Sequence, residues 1–96
     1  MKLLIFDTET SGLPEERNLS VLSIHKWPYI LQLAYILYDT SNNEILEYSD
    51  NLINIAKDVY ISQDSIDIHK ITREMCNKDG KDIKEVLNNF NNVLLK

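Results

Sequence analysis

Asp7 and Glu9 stand two residues apart in Ile5-Phe6-Asp7-Thr8-Glu9-Thr10-Ser11-Gly12-Leu13, directly after the apolar run Leu3 to Phe6. At the end of a strand, alternation puts both carboxylates on one side, with Cα atoms about 6.6 Å apart. Two carboxylates this close repel, and one of them tends to hold its proton. A divalent cation removes that cost and keeps both ionised. Oxygen-only ligands favour Mg²⁺ or Mn²⁺ over Zn²⁺. Two such ions about 3.5–4 Å apart, shared by Asp7 and held further by Glu9, would activate a water and stabilise the leaving oxygen of a phosphodiester. Asp-Thr-Glu-Thr also suits a simple turn, with Asp7 and Thr8 bonding nearby amides. Spacing alone leaves both readings open.

The elements that must position this pair can be read along the chain. Residues 2 to 6 form an apolar run of the kind found in a strand buried on both faces, which predicts a central first strand. Tyr29 to Tyr38 is almost wholly apolar and stops at the turn formers Asp39-Thr40-Ser41-Asn42-Asn43; Glu44 to Ile53 follows as a more exposed run. Together they predict an antiparallel hairpin with the later strand nearer an edge. Ser62 can cap a short helix over 64–69, Thr72 a second turn containing Glu74 and Met75, and Gly80 breaks the chain. From Lys81 onward Ile83, Val86, Leu87, Phe90, Val93 and Leu94 recur with helical period, so a long amphipathic helix closes the sequence and needs a sheet face to cover.

Ninety-six residues, 44% apolar and 26% charged with two Gly and two Pro, describe one small globular unit. The single Cys76 excludes a disulfide framework and a multi-Cys zinc site, and fits a reducing compartment. No apolar run reaches the length of a membrane span or a secretory signal, so the expected location is the cytoplasm, or the nucleus or viral factory of a host that has one. A net charge of −5 argues against binding nucleic acid through a general basic surface; a polyanion would have to be held locally. Five basic residues between Lys70 and Lys84 alternate with acids and read as a solvated mixed-charge face. His25 reads as a solvated loop residue, though the loop 14–28 that holds it, with Arg17 and Lys26, has the charge to touch phosphate. Tyr35, Tyr38, Tyr48 and Tyr60 read as sheet packing rather than a base-stacking platform.

At Phe6 to Leu13 the chain strongly resembles the DEDD superfamily of 3′-to-5′ exonucleases, the group that includes the proofreading epsilon subunit of bacterial DNA polymerase III and ribonuclease T. The first motif of that family is a hydrophobic strand followed by Asp-x-Glu-Thr-[Thr/Ser]-Gly-Leu. Trp27 to Ala34 resembles its second strand, with an Ile-x-Gln-[Ile/Leu]-[Ala/Gly] pattern, and Ser65 to Thr72 resembles its Ala-x-x-x-His-Gly-Ile-Thr segment with Lys70 in place of Gly. The resemblance implies a ribonuclease H-like α/β fold, represented here by three antiparallel strands, short helices and a C-terminal amphipathic helix, with residues 1–96 as the N-terminal part of one exonuclease domain. It implies that Asp7 and Glu9 bind two divalent cations, Mg²⁺ or Mn²⁺, and that Thr8, Thr10, Gly12 and Leu13 hold the 3′-terminal nucleotide of single-stranded DNA or RNA, Leu13 as a wedge against the base. Gly12 suits a backbone that approaches a ligand closely or takes a positive φ, or an ordinary turn.

In that family a second motif supplies an Asp after the long helix, and a third supplies His or Tyr with a final Asp. The chain carries a candidate for neither, and His69, which precedes the long helix, reads as a helix-end or packing group. The expectation is therefore an incomplete exonuclease, inactive or nearly so until a completing C-terminal chain or a polymerase partner joins it. The alternative is a catalytically dead module that binds nucleic acid or a polymerase. A haloacid-dehalogenase-like phosphatase, which also places two acids after an apolar strand, ranks last because the following strands form a hairpin.

Overall fold

Along the second strand every other residue leaves solvent: Leu31, Leu33, Tyr35 and Leu37 are buried, and the residues between them are half-exposed. That period of two marks a strand with one covered face. In the computed structural model, which describes residues 1–14, 16, 18–23 and 26–96, this strand is β2 (Ile30–Asp39). It lies between β1 (Lys2–Thr10) and β3 (Glu44–Leu52) in one antiparallel sheet of order β1-β2-β3. Three helices follow, α1 (Gln63–His69), α2 (Arg73–Asp79) and α3 (Ile83–Leu94).

Local chemistry explains most boundaries. Asp39 closes the hairpin, its carboxylate accepting from the Ser41 amide at 2.9 Å and from the Asn42 side chain at 3.1 Å, while Asn43 takes a left-handed φ of 52°. Ser62, Thr72 and Asp82 are the N-caps of α1, α2 and α3, each accepting a backbone N–H of the first turn. Ile83, Val86, Phe90 and Val93 of α3 meet Leu4, Leu33, Tyr35 and Leu37 of the sheet, and the Phe90 ring stands edge-on to Phe6 at 5.3 Å and to Tyr35 at 5.2 Å. Leu87 and Leu94, expected on the same face, remain largely exposed. A second cluster gathers Leu31, Ile55, Val59, Ile61, Ile71 and Cys76 where α1 and α2 adjoin the sheet end. No helix among the described residues is long and apolar enough to cross a membrane.

The first strand departs from expectation in two ways. It does not stop at Phe6 but runs through Thr10, because β2 offers hydrogen-bonding partners all the way to Ile30. It is also an edge and not the centre of the described sheet: Leu3, Ile5 and Phe6 are 40%, 57% and 59% exposed, since only β2 flanks it. Two tyrosines depart as well. Tyr35 packs in the core, but Tyr48 and Tyr60 are exposed.

Cys76 is fully buried, and burial raises its thiol above the ordinary 9.0 against a smaller downward pull from the Arg73 cation. The unfolded chain releases this proton near 9.0, whereas the folded chain keeps it longer. The resulting stabilisation is complete below that pH and is lost as pH rises through the folded-state value. Melting of the wild type and Cys76→Ala between pH 8 and about 10.5 is expected to show the stability gap shrinking above pH 9. A constant gap would contradict the buried neutral thiol.

Candidate metal and nucleotide site

Asp7 and Glu9 lie within β1, on the sheet face opposite α3. The register fixes their neighbours: Asp7 pairs with Ala34, which pairs with Asp50 on β3, and Glu9 pairs with Gln32, which pairs with Leu52. Above this face a shallow groove of about 190 Å³ is lined by Ile5, Asp7, Ala34, Ile36 and Tyr48. Asp7 accepts the Thr8 amide at 2.9 Å through Oδ1, and Oδ2 has no hydrogen-bond partner among the described residues. Among the described residues the ion pairs are Lys26 with Glu16 and Lys96 with Glu47, so no lysine or arginine neutralises the Asp7–Glu9 pair. The segment is strand rather than turn, although the Asp7 bond to the Thr8 amide is of the local kind that the turn reading called for. In type and placement the two carboxylates fit a hard divalent cation. Among the described residues no third His, Cys, Asp or Glu joins them in a group that could hold a metal ion.

The loop after the pair is fixed from several sides. A bulge opposite Glu9 and Thr10 leaves Leu31 unpaired in the β1–β2 ladder. Ser11 is buried: its amide donates to Tyr29 O at 2.9 Å, its hydroxyl accepts the Tyr29 amide at 2.9 Å, and its carbonyl accepts the Ser62 amide at 2.8 Å. Thr10 directs its hydroxyl to Gly12 O at 2.8 Å. His69 bridges to the same loop, its Nε2 3.0 Å from Thr10 O while its Nδ1 accepts the Ile71 amide at 3.0 Å. Donation to a carbonyl on one side and acceptance from an amide on the other require the neutral ring protonated at Nε2. His69 is thus a helix-end bond that holds the loop. Gly12 has no positive φ, and a Cβ there would meet nothing nearer than Ser62 Oγ at 3.7 Å, so the fold itself does not demand glycine.

Thr8 and Thr10 are half-buried, Thr8 on the face that carries α3 by strand alternation, and Leu13 projects with 90% of its surface exposed. A cleft of about 350 Å³ runs from Ser11, Gly12 and Leu13 to Trp27 and Tyr60. A second, of about 410 Å³, opens between Gln32, Asp50, His69, Lys70 and Lys81. In the loop ahead of β2, Lys26 pairs with Glu16 at 3.2 Å; Arg17 and His25 lie outside the described residues. Sequence reading missed the Ser11 hub, the bond from Gln32 Nε2 to Asp50 Oδ1 at 2.8 Å, and Arg73, which donates to the Ala56 and Val59 carbonyls. Only Ser11 and Gln32 carried a signal, as positions inside motif-like segments.

A family model described as Exonuclease, the RNase T family, matches residues 4–96. The chain belongs to this exonuclease family. Among curated proteins no sequence matches it significantly. Solved structures share its fold. Exonuclease I from Methylocaldum szegediense superposes with a TM-score of 0.73 at 24% identity, over 95% of this chain and 17% of its own. E. coli exonuclease I in complex with a dA16 oligonucleotide gives 0.74 at 17% identity, over 96% and 18%. A 3′-exonuclease described in 3′-end specific recognition of histone mRNA stem-loop gives 0.68 at 16% identity, over 96% and 38%. This exonuclease-family chain therefore spans well under half the length of these structures, and its three strands and helices correspond to the start of a ribonuclease H-like exonuclease fold.

Proposed function

We propose that residues 1–96 are the N-terminal part of a single metal-dependent 3′-to-5′ exonuclease domain, in which Asp7 and Glu9 hold two divalent cations, Mg²⁺ or Mn²⁺. The observation that carries this reading is the pair itself: two carboxylates side by side on an open sheet face with no cationic side chain against them among the described residues. Such ions, when bound, supply an ionised water and charge stabilisation at a phosphodiester. Asp7 and Glu9 orient them, with the Thr8 amide fixing one Asp7 oxygen. Thr8, Thr10, Gly12 and Leu13 receive the 3′-terminal nucleotide of single-stranded DNA or RNA. Leu13 offers an apolar surface for the base, and at Gly12 the lack of a side chain lets the backbone come close. The general base and the remaining carboxylates come from a completing C-terminal segment or chain, so residues 1–96 alone are inactive. A DNA polymerase is the alternative partner.

Titration of the chain with Mn²⁺ by calorimetry tests the reading. Wild type is expected to bind, and Asp7→Asn or Glu9→Gln to weaken binding at least about tenfold, each removing a charged ligand. No binding at millimolar Mn²⁺, or equal binding by the variants, would overturn it.

A further inference from the structure

Gln32 stands directly opposite Glu9 across the β1–β2 ladder, with β-carbons about 5 Å apart. A glutamine there can turn either end of its amide toward the carboxylate. With its amino group forward it would donate to Glu9 and occupy the oxygens that the proposed cation needs. With its carbonyl forward it would add a neutral oxygen beside the pair. Asp50 decides between these two states. Its ionised carboxylate can only accept, and it takes Gln32 Nε2 at 2.8 Å from the β3 side. Oε1 is the other branch of the amide, and no donor among the described residues reaches it. Ala34, between Asp7 and Asp50, adds no competing polar group.

We propose that Asp50 and Gln32 are positioning residues: Asp50 captures the amino group of Gln32, which keeps Glu9 clear and presents Gln32 Oε1 to the cation held by Asp7 and Glu9. This rests on the metal reading above. A neutral amide opposite Glu9 adds an oxygen beside the pair without adding charge. The arrangement also gives Asp50 a role other than ligation. Two strand spacings, about 10 Å, separate it from Asp7, so at 0.15 M salt its charge alone changes cation affinity by less than about twofold.

The test is a double-mutant cycle read by Mn²⁺ calorimetry at 0.15 M salt, with Asp7→Asn as reference and far-UV melting to confirm folding. Gln32→Leu and Asp50→Asn are each expected to weaken Mn²⁺ binding about tenfold, the scale of outer-shell partners of metal ligands. The double variant should bind no worse than Gln32→Leu, because Asp50 acts only through Gln32. Gln32→Met serves in the same cycle if the leucine variant does not fold. Multiplying losses, or wild-type affinity in both single variants while Asp7→Asn loses the ion, would overturn the positioning role and leave the metal reading intact. Wild-type affinity in Asp7→Asn would instead overturn the metal reading.

Discussion

Leu31→Ala is expected to destabilise the chain by about 3 kcal/mol, within the range for truncating a fully buried leucine. Leu31 has no solvent exposure and packs in the cluster of Ile55, Val59, Ile61, Ile71 and Cys76. Its position is unusual because the bulge opposite Glu9 and Thr10 leaves it without a partner on β1. The side chain therefore anchors the bulge from below, while its carbonyl accepts the Ile53 amide at 2.9 Å. For a domain of this size, total stability is about 5–14 kcal/mol, so one such cavity removes a large share of it. Urea unfolding followed by circular dichroism should show a lower midpoint with an unchanged slope. A loss below about 1 kcal/mol would mean that the cluster collapses to fill the gap and does not hold the bulge.

Much of this fold was legible in the sequence because its signals are local. Ser62, Thr72 and Asp82 cap helices using atoms of their own first turns, and the Asp39 turn closes within four residues. The period of α3 depends only on its own residues. The acidic pair was legible for the same reason, as a short motif after an apolar run. The rest depends on register between distant segments. Asp7 and Glu9 are poor strand formers, so an apolar run ending at Phe6 predicted an early stop; the ladder to β2 overrides that preference. An all-apolar run predicted a central strand, but burial on two faces requires neighbours on both sides, and composition cannot supply them. Ser11 becomes a hub only when Tyr29 and Ser62 are brought to it. Arg73 sits in a mixed-charge stretch expected to be solvated, yet it closes the segment after β3 by donating to Ala56 and Val59. Gln32 and Asp50, eighteen residues apart, meet only through the hairpin register.

Gly80→Ala is expected to be at least as damaging, with Gly12→Ala as its contrast. Gly80 ends α2 at φ −73°, where any residue is comfortable, so its need for glycine is steric and not conformational. A Cβ there would lie 2.5 Å from the Asn54 amide nitrogen and 2.7 Å from the Ile53 carbonyl carbon, and closer still to the Cys76 carbonyl oxygen. All three atoms are backbone, so no side chain can rotate away. Relief requires moving α2 from the end of β3, which strains the bonds from Lys81 N to Leu52 O and from Asn54 N to Lys81 O at 2.8 and 2.9 Å. Overpacking of this kind costs about 3 kcal/mol or more when the backbone must shift. Gly12→Ala places its Cβ in ordinary contact, 3.7 Å from Ser62 Oγ, and should change stability by less than about 1 kcal/mol. If Gly12 instead serves close approach to a nucleotide, Gly12→Ala will keep the wild-type urea midpoint and weaken binding of a 5′-labelled oligonucleotide measured by fluorescence anisotropy in Mn²⁺. Equal stability of Gly80→Ala and wild type would refute the close packing of α2 on β3. Equal oligonucleotide affinity of Gly12→Ala would remove Gly12 from the nucleotide site.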